Sequence, residues 1–352
     1  AKLFVENHIL WDGMENPYLY TMTARLKRDG AVIDEVSDRF GFREFYFDSE
    51  KGFFLNGKNV KMKGVSRHQD REGLGNALTY AEHKEDADLI KEVGANSIRL
   101  AHYQHDEKFY DLCDEYGFLV WAEIPVISNF SKKKQAQAKF MLEELIRQNY
   151  NHPSIFCWSV ANEISIGGAG AGVYDGIKEL NDIAHQLDST RPTATAQVTF
   201  SSNNSKLNDI PDILGYNQYF GWYVQPKDIP NALWRIPFDK PVIISEFGGG
   251  AVAGRHGGVK DRWSEEMQKD IYEKNVKMFG RIKNLSGTCP WILNDFRSPR
   301  RPLAGVQDGY NRKGLFAPDG SEKLAAGVMR KYYMREYYLR EYFKTKRERL
   351  DR

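Results

Sequence analysis

From residue 60 onward, short β-rich runs alternate with longer segments of helical periodicity, and no other property of this chain limits its fold so tightly. The candidate strands are Val60 to Ser66, Ser97 to Ala101, Phe118 to Ile124, Ile155 to Glu163, Thr193 to Val198, Ile213 to Tyr219, Val242 to Phe247 and Thr288 to Asp295. Between them, the spacing predicts a helix over His83 to Val93, where Ala87, Ile90 and Val93 recur at helical intervals and Gly94 supplies the stop. Further helices are expected over Glu107 to Tyr116, Gln135 to Tyr150, Tyr174 to Leu187, Arg262 to Lys283 and Glu322 to Tyr333, with irregular connections after the fifth and sixth strands. Eight such units in a span of about 275 residues fit a (β/α)8 TIM barrel in count and length, better than a doubly wound sheet of five or six strands.

The first 49 residues read differently. Tyr18 to Leu26, Ala31 to Val36 and Phe40 to Phe47 alternate apolar and polar, and Asp29-Gly30 marks a hairpin turn. Three antiparallel strands leave edges unpaired and cannot bury both faces, so the chain is expected to begin partway through a β-sandwich. The expected organisation is a partial antiparallel sandwich over 1–49, the barrel over 50–335 and a basic C-terminal tail over 336–352. Aromatic pairs at Tyr332-Tyr333, Tyr337-Tyr338 and Tyr342-Phe343 suggest a terminal helix that packs on the barrel and then frays.

Fifty basic against 48 acidic residues give a net charge of +2, no field that would favour nucleic acid or an anionic membrane. Three scattered cysteines, Cys113, Cys157 and Cys289, suit neither a disulfide framework nor a zinc site and are expected to be buried and reduced. The sequence shows no apolar run long enough to span a bilayer and no signal peptide at its start. The compartment is not written in it.

Two carboxylates stand out against this background. Glu163 closes the apolar run Ile155-Phe-Cys-Trp-Ser-Val-Ala-Asn-Glu163, and Glu246 sits near the end of Pro241-Val-Ile-Ile-Ser-Glu-Phe247. In a (β/α)8 barrel the C-terminal ends of the strands open onto the mouth, where Arg99, His102, Glu123, Asn162, Asn217, Tyr219, Trp291, Asn294 and Asp295 are expected to join them. Glycosidic bond cleavage needs such a pair: an acid to protonate the leaving oxygen and a carboxylate to attack or to activate water. A desolvated Glu163 with a raised pKa would serve as the acid, and Glu246, kept ionised among donors such as Arg99 and Tyr219, as the second group.

The runs Asn96-Ser-Ile-Arg-Leu-Ala-His-Tyr103, Asn151-His-Pro-Ser-Ile-Phe-Cys-Trp-Ser-Val-Ala-Asn-Glu163 and Ile244-Ser-Glu-Phe-Gly248 resemble those of glycoside hydrolase family 2, and the resemblance extends over nearly the whole chain. It implies a retaining, exo-acting β-glycosidase with Glu163 as general acid/base, Glu246 as nucleophile and Asn162 on the sugar 2-hydroxyl. It further implies that His102, Asn217, Tyr219, Tyr223 and Trp291 line the sugar site and that residues 1–49 belong to an immunoglobulin-like domain. No cofactor is implied. The partners are a small carbohydrate or glycoside and, at most, further copies of the chain in a homo-oligomer.

Within the family, Asn311-Arg-Lys-Gly-Leu-Phe316 is similar to the Asn-x-Lys motif with which β-glucuronidases hold the uronate, so Asn311 and Lys313 are assigned to the C6 carboxylate. Gln307 stands where the bacterial glucuronidases carry an arginine, and Gly64-Val-Ser-Arg-His68 is closer to a galactosidase segment. β-Glucuronidase is the favoured activity, with β-galactosidase and β-galacturonidase as alternatives, and a non-catalytic carbohydrate-binding protein or inactive fragment as the rival of another class. His102 and His105 lack the spacing of a metal-binding pair, and no catalytic metal is expected. Gly167 to Gly172 and Gly248 to Gly250 complete no phosphate-loop pattern and are expected to form loop rims.

Overall fold

The structure, a computed structural model, describes residues 4–164, 172–198, 205–232 and 238–335. Most of the 167–172 glycine run and the 336–352 tail, with two of its aromatic pairs, therefore lie outside the described residues.

In chain order the elements are β1 (Tyr20–Arg28), β2 (Ala31–Phe40), β3 (Phe45–Asp48), β4 (Gly52–Leu55), β5 (Lys58–Val60), β6 (Met62–Arg67), α1 (Tyr80–Glu92), β7 (Ser97–Leu100), α2 (Glu107–Tyr116), β8 (Leu119–Glu123), α3 (Gln135–Asn149), β9 (Ile155–Asn162), α4 (Val173–Leu187), β10 (Thr193–Val198), β11 (Ile213–Asn217), β12 (Val242–Glu246), α5 (Glu265–Phe279), β13 (Leu285–Thr288), β14 (Phe296–Arg297), β15 (Tyr310–Asn311) and α6 (Leu324–Tyr333). Strands β6 to β13 close in sequence order into a parallel barrel, as the alternation predicts. Helix starts are set by local chemistry. Thr79 and Glu82 form a capping box on α1, Asp106 caps α2, and Ser264 accepts from Met267 N at the head of α5.

The barrel strands alternate between two cores. Val120 and Ala122 of β8, like Val242 and Ile244 of β12, face outward to helix residues such as Leu142, Leu180 and Met278. Leu119 and Trp121, with Ile243, instead point inward to the barrel interior. The lower end of that interior is closed by residues from outside the barrel: Trp11, Phe53 and Leu55 pack against Met62, Leu119, Phe156, Ala194, Ile213 and Ile243. Phe53 and Leu55 lie on β4, the central strand of the β3-β4-β5 sheet, which thereby forms the barrel's floor. With one end plugged, the strand C-termini form the open mouth. All three cysteines are buried and unpaired.

Two expected boundaries are corrected. The last barrel strand is Leu285–Thr288, not Thr288 to Asp295. Ser286 and Gly287 have turn-like composition, but Gly287 pairs with Met62 across the barrel seam, where a Cβ would lie 2.6 Å from the Met62 Cβ. Only a residue without a side chain lets those strands meet. The stretch Phe40 to Phe47 is likewise not one strand: Phe40 ends β2, the chain passes over Trp11 at Gly41, and β3 starts at Phe45 in a different sheet. The hairpin turn at Asp29-Gly30 stands as expected, with φ of 51° and 84° at the two residues.

Candidate active site

Arg99, at the C-terminal end of β7, is the fully buried hub of the mouth. Its Nη1 donates to Glu246 Oε1 at 2.7 Å, and its Nη2 donates to Asn162 Oδ1 at 2.8 Å and to Glu123 at 3.2 Å. One guanidinium thus joins the ends of strands β8, β9 and β12. Glu123 is fixed in turn by Trp121 Nε1 at 3.1 Å and His102 Nδ1 at 2.6 Å. Burial alone would raise the pKa of Glu123, but Arg99 and His102 outweigh it and hold the group below its usual value.

Asn162 is oriented without ambiguity. Its Oδ1 accepts from Arg99, which can only donate, and from Asn217 Nδ2 at 3.0 Å. The NH2 end is left to face the mouth. Asn217 also donates to Glu163 Oε1 at 3.0 Å, while its own oxygen accepts from Ser245 Oγ at 2.7 Å. Glu163 follows β9 directly and has a φ of 54°, a left-handed backbone that glutamate seldom adopts and that is concentrated at functional sites. Burial, reinforced by the charge of Glu246, pushes its pKa up to about 7, against opposing contributions from Asn217, His102 and Arg99.

Glu246 has one carboxylate oxygen on Arg99 and the other on Tyr219, whose hydroxyl donates at 2.6 Å. His102 Nε2 is 3.9 Å from Glu246 Oε1, and its ring stacks on Trp291 with centroids 4.9 Å apart. The mouth therefore holds two carboxyl groups in contrasting settings, one desolvated and proton-retaining, the other clasped by a cation and a phenol. That contrast is what acid-plus-nucleophile chemistry on one bond requires.

Lys313 lies beside this pair, buried, with its ammonium donating to Tyr223 OH at 2.8 Å. The rings of Tyr223, Tyr219 and Trp222 surround it at 4.9, 5.5 and 5.8 Å. Burial pulls its pKa below the usual lysine value. Burial would raise the Tyr223 phenol, but Lys313 and Arg301 outweigh it and lower it.

Of the expected site residues, Arg99, His102, Asn162, Glu163, Asn217, Tyr219, Trp291 and Glu246 come together at the mouth, with Lys313 and the half-exposed Tyr223 along its rim. Asn311 stands one step back, its Oδ1 accepting from Lys313 N at 3.3 Å. Asn294 and Asp295 do not join the carboxylate cluster: Asn294 donates to Asp86 and Asp295 pairs with Lys323, because the strand that was to aim them ends at Thr288. His105 has both ring nitrogens committed, to Arg67 and to Ala101 O. Glu123, expected at the mouth as the acid ending the apolar run Leu119–Glu123, does join the cluster there, held by Arg99 and His102. Arg301 is the residue that sequence reasoning does not single out, since it sits in a loop with no pattern to mark it.

Barrel and carboxylate pair together define a class, and comparison with known proteins gives it a family. The profile of the TIM barrel domain of "Glycosyl hydrolases family 2" matches residues 49–336, and a second profile, "Glycosyl hydrolases family 2", matches residues 1–43. The chain belongs to glycoside hydrolase family 2. A β-glucuronidase of Bacteroides fragilis is 38% identical over 337 residues, 90% of this chain and 48% of that protein. An FMN-binding β-glucuronidase from Faecalibacterium prausnitzii L2-6 superposes with a TM-score of 0.88 at 39% identity, covering 94% of this chain and 52% of the other. A β-galacturonidase from Eisenbergiella tayi, bound to galacturonate, gives a TM-score of 0.85 at 31% identity over 95% of this chain and 61% of its own. The chain spans about half the length of the curated relatives it matches first, 48% and 43% of the two proteins.

Proposed function

We propose that the full-length protein is a retaining, exo-acting β-glucuronidase. The observation that carries this reading is the Lys313 ammonium, buried among aromatic rings on the rim of the same mouth that holds the two glutamates. A buried cation beside a sugar site calls for an anion on the sugar, and in a hexose that anion is a C6 carboxylate. The β-glucuronidase names of the relatives support it. Arg301, near Tyr223 and Lys313, supplies a second positive charge where Gln307 does not.

In this mechanism Glu163 gives its proton to the glycosidic oxygen as Glu246 attacks the anomeric carbon, forming the glycosyl-enzyme ester. Ionised Glu163 then takes a proton from the water that releases the sugar. Arg99 and Tyr219 hold the Glu246 carboxylate in line, and both remain to stabilise it as it departs. Asn162 offers its NH2 to the 2-hydroxyl, a contact that strengthens as charge develops on the ring. His102 and Trp291 present a stacked pair of rings to the sugar. We also assign the β1–β2 ribbon to the end of an immunoglobulin-like sandwich, with the expected boundary at 49 moved to before β3, which pairs into the floor sheet; Leu26, Val32, Ile33 and Val36 on the ribbon are exposed, as strands that expect a covering sheet would be.

The deciding assay compares p-nitrophenyl β-D-glucuronide, β-D-galacturonide and β-D-galactoside on the full-length protein. We expect kcat/KM for the glucuronide to exceed that for the galactoside by about 100-fold or more, since a site built to bind a charged group rejects the analogue that lacks it. Equal rates on the two would overturn the assignment. Galacturonide outrunning glucuronide would keep the carboxylate reading and move the specificity to C4, in line with the Eisenbergiella structure. Sugar binding without hydrolysis of any of the three would favour a non-catalytic protein.

A pH profile tests the role of Glu163. Its raised pKa keeps the proton on until about pH 7, so kcat/KM should be retained below that point and fall about tenfold per pH unit above it. A flat profile to pH 9 would remove Glu163 from the acid role.

A further inference from the structure

The turn that carries Lys313 has almost no secondary structure of its own. β15 is two residues long and ends at Asn311, so the segment from Arg312 to Leu315 must be held from outside. The holding element is a buried ion pair, Asp295 with Lys323, 2.7 Å apart and with both side chains fully shielded from solvent. The three protons of the Lys323 ammonium go to three acceptors: Asp295 Oδ1, Ala251 O at 2.8 Å and Arg312 O at 3.4 Å. Asp295 Oδ1 accepts in addition from Gly314 N at 2.8 Å. Gln268 adds a parallel link, its Nε2 donating to Gly249 O at 3.0 Å and Gly314 O at 3.1 Å.

The backbone follows the same line. Ala251 N donates to Arg312 O at 2.8 Å and Ile292 N to Lys313 O at 3.1 Å. Gly314 is pressed so close that a Cβ there would lie 2.2 Å from Asp295 N. Ala251 comes five residues after Glu246, across the Gly248–Gly250 run. Lys323 therefore ties together the loop leaving the Glu246 strand, the segment after the eighth barrel strand and the turn that bears Lys313.

A buried ion pair is a costly way to fill space. Removing two charges from water costs several kcal/mol per ion, and apolar residues of equal volume often pack as well or better. What charged groups add is direction, because each proton and lone pair demands a partner at a set angle and distance.

We propose that Asp295 and Lys323 are positioning residues for recognition of the sugar carboxylate: they lock the Arg312–Gly314 turn to the loop that follows Glu246, so that the ammonium reading C6 and the carboxylate attacking C1 keep a fixed separation. This rests on the C6 reading of Lys313. Neither residue touches the substrate. Their effect is to set the spacing between two groups that do.

The test uses full-length Lys323→Met and, because that change leaves the buried Asp295 with only the more distant Arg312 Nη1, 3.6 Å from its Oδ2, as a cationic partner, the double variant Asp295→Asn/Lys323→Met as well. Each is assayed on p-nitrophenyl β-D-glucuronide and on its C6 methyl ester, which replaces the carboxylate by a neutral group one methyl larger. We expect KM for the glucuronide to rise about 10- to 100-fold, the cost of displacing a binding group by around 1 Å, with kcat changed less than about threefold. The ester kinetics should stay within about twofold of wild type, collapsing the preference for acid over ester. An unchanged acid-to-ester preference in the double variant, or an equal loss on both substrates, would overturn the proposal and leave the pair a fold-stabilising one. Wild-type enzyme that makes no distinction between acid and ester would instead refute the C6 reading itself, and the positioning role with it.

Discussion

Replacement of Glu246 by alanine is expected to lower kcat by at least about four orders of magnitude, the scale on which loss of a covalent nucleophile is felt. The fold should tolerate the change, since Arg99 keeps Glu123 and Asn162 as partners and the ring of Tyr219 stays packed with Trp222 and Trp291. Added azide should restore turnover of an activated glycoside by entering the vacated space, giving the α-glycosyl azide. Glu163→Ala should behave differently. A glycoside whose leaving group needs no proton should still form the glycosyl-enzyme at near wild-type rate, and azide should then give the β product. The two glutamates are thus separated by the stereochemistry of one product, read by proton NMR. Near wild-type hydrolysis by Glu246→Ala would end the assignment, and a β-azide from that variant would exchange the roles.

Lys313→Ala should cost the glucuronide about 100- to 1,000-fold in kcat/KM. Removing one member of a buried charge pair leaves the other desolvated and unpaired, at about 2 to 5 kcal/mol. The galactoside, with a hydroxyl at C6, should change less than about threefold. Tyr223→Phe should give a smaller loss in the same direction, because the phenol holds the ammonium from one side while the other rings remain. Equal weakening of both substrates by Lys313→Ala would show that the lysine shapes the pocket without reading charge.

Much of this was open to reading in the chain, for a physical reason. A barrel strand is apolar along its buried length and changes character where it reaches the mouth, so Glu163, Asn162, Arg99 and Glu246 mark themselves as the polar ends of apolar runs. Where that contrast fails, so does the reading. Leu285–Thr288 looks like a turn because its glycine answers to Met62, more than 200 residues away, and misplacing that strand put Asn294 and Asp295 in the mouth. The single orientation of Asn162 is a product of the hydrogen-bond circuit through Arg99 and Asn217, and neither it nor the left-handed backbone at Glu163 is recorded by any local pattern. The pairing of Lys313 with Tyr223 spans 90 residues and required the fold to bring them together.

The sheet that closes the barrel floor bears on how the molecule can be divided. The two family-profile matches end and begin at residues 43 and 49, and a cut at residue 49 falls in the turn between β3 and β4, two strands hydrogen-bonded from Phe45↔Leu55 to Asp48↔Gly52. The junction of the two modules is therefore a shared piece of secondary structure, not a tether. Arg39 bridges to Asp111 and Glu115 on the barrel, and Trp11 donates to Asp114 O, so the stretch before the seam is anchored on the same side. A recombinant barrel begun at Met62 would leave Leu119, Phe156 and Ile213 facing water at its base, so a barrel unit that keeps its floor has to include Trp11, Phe53 and Leu55.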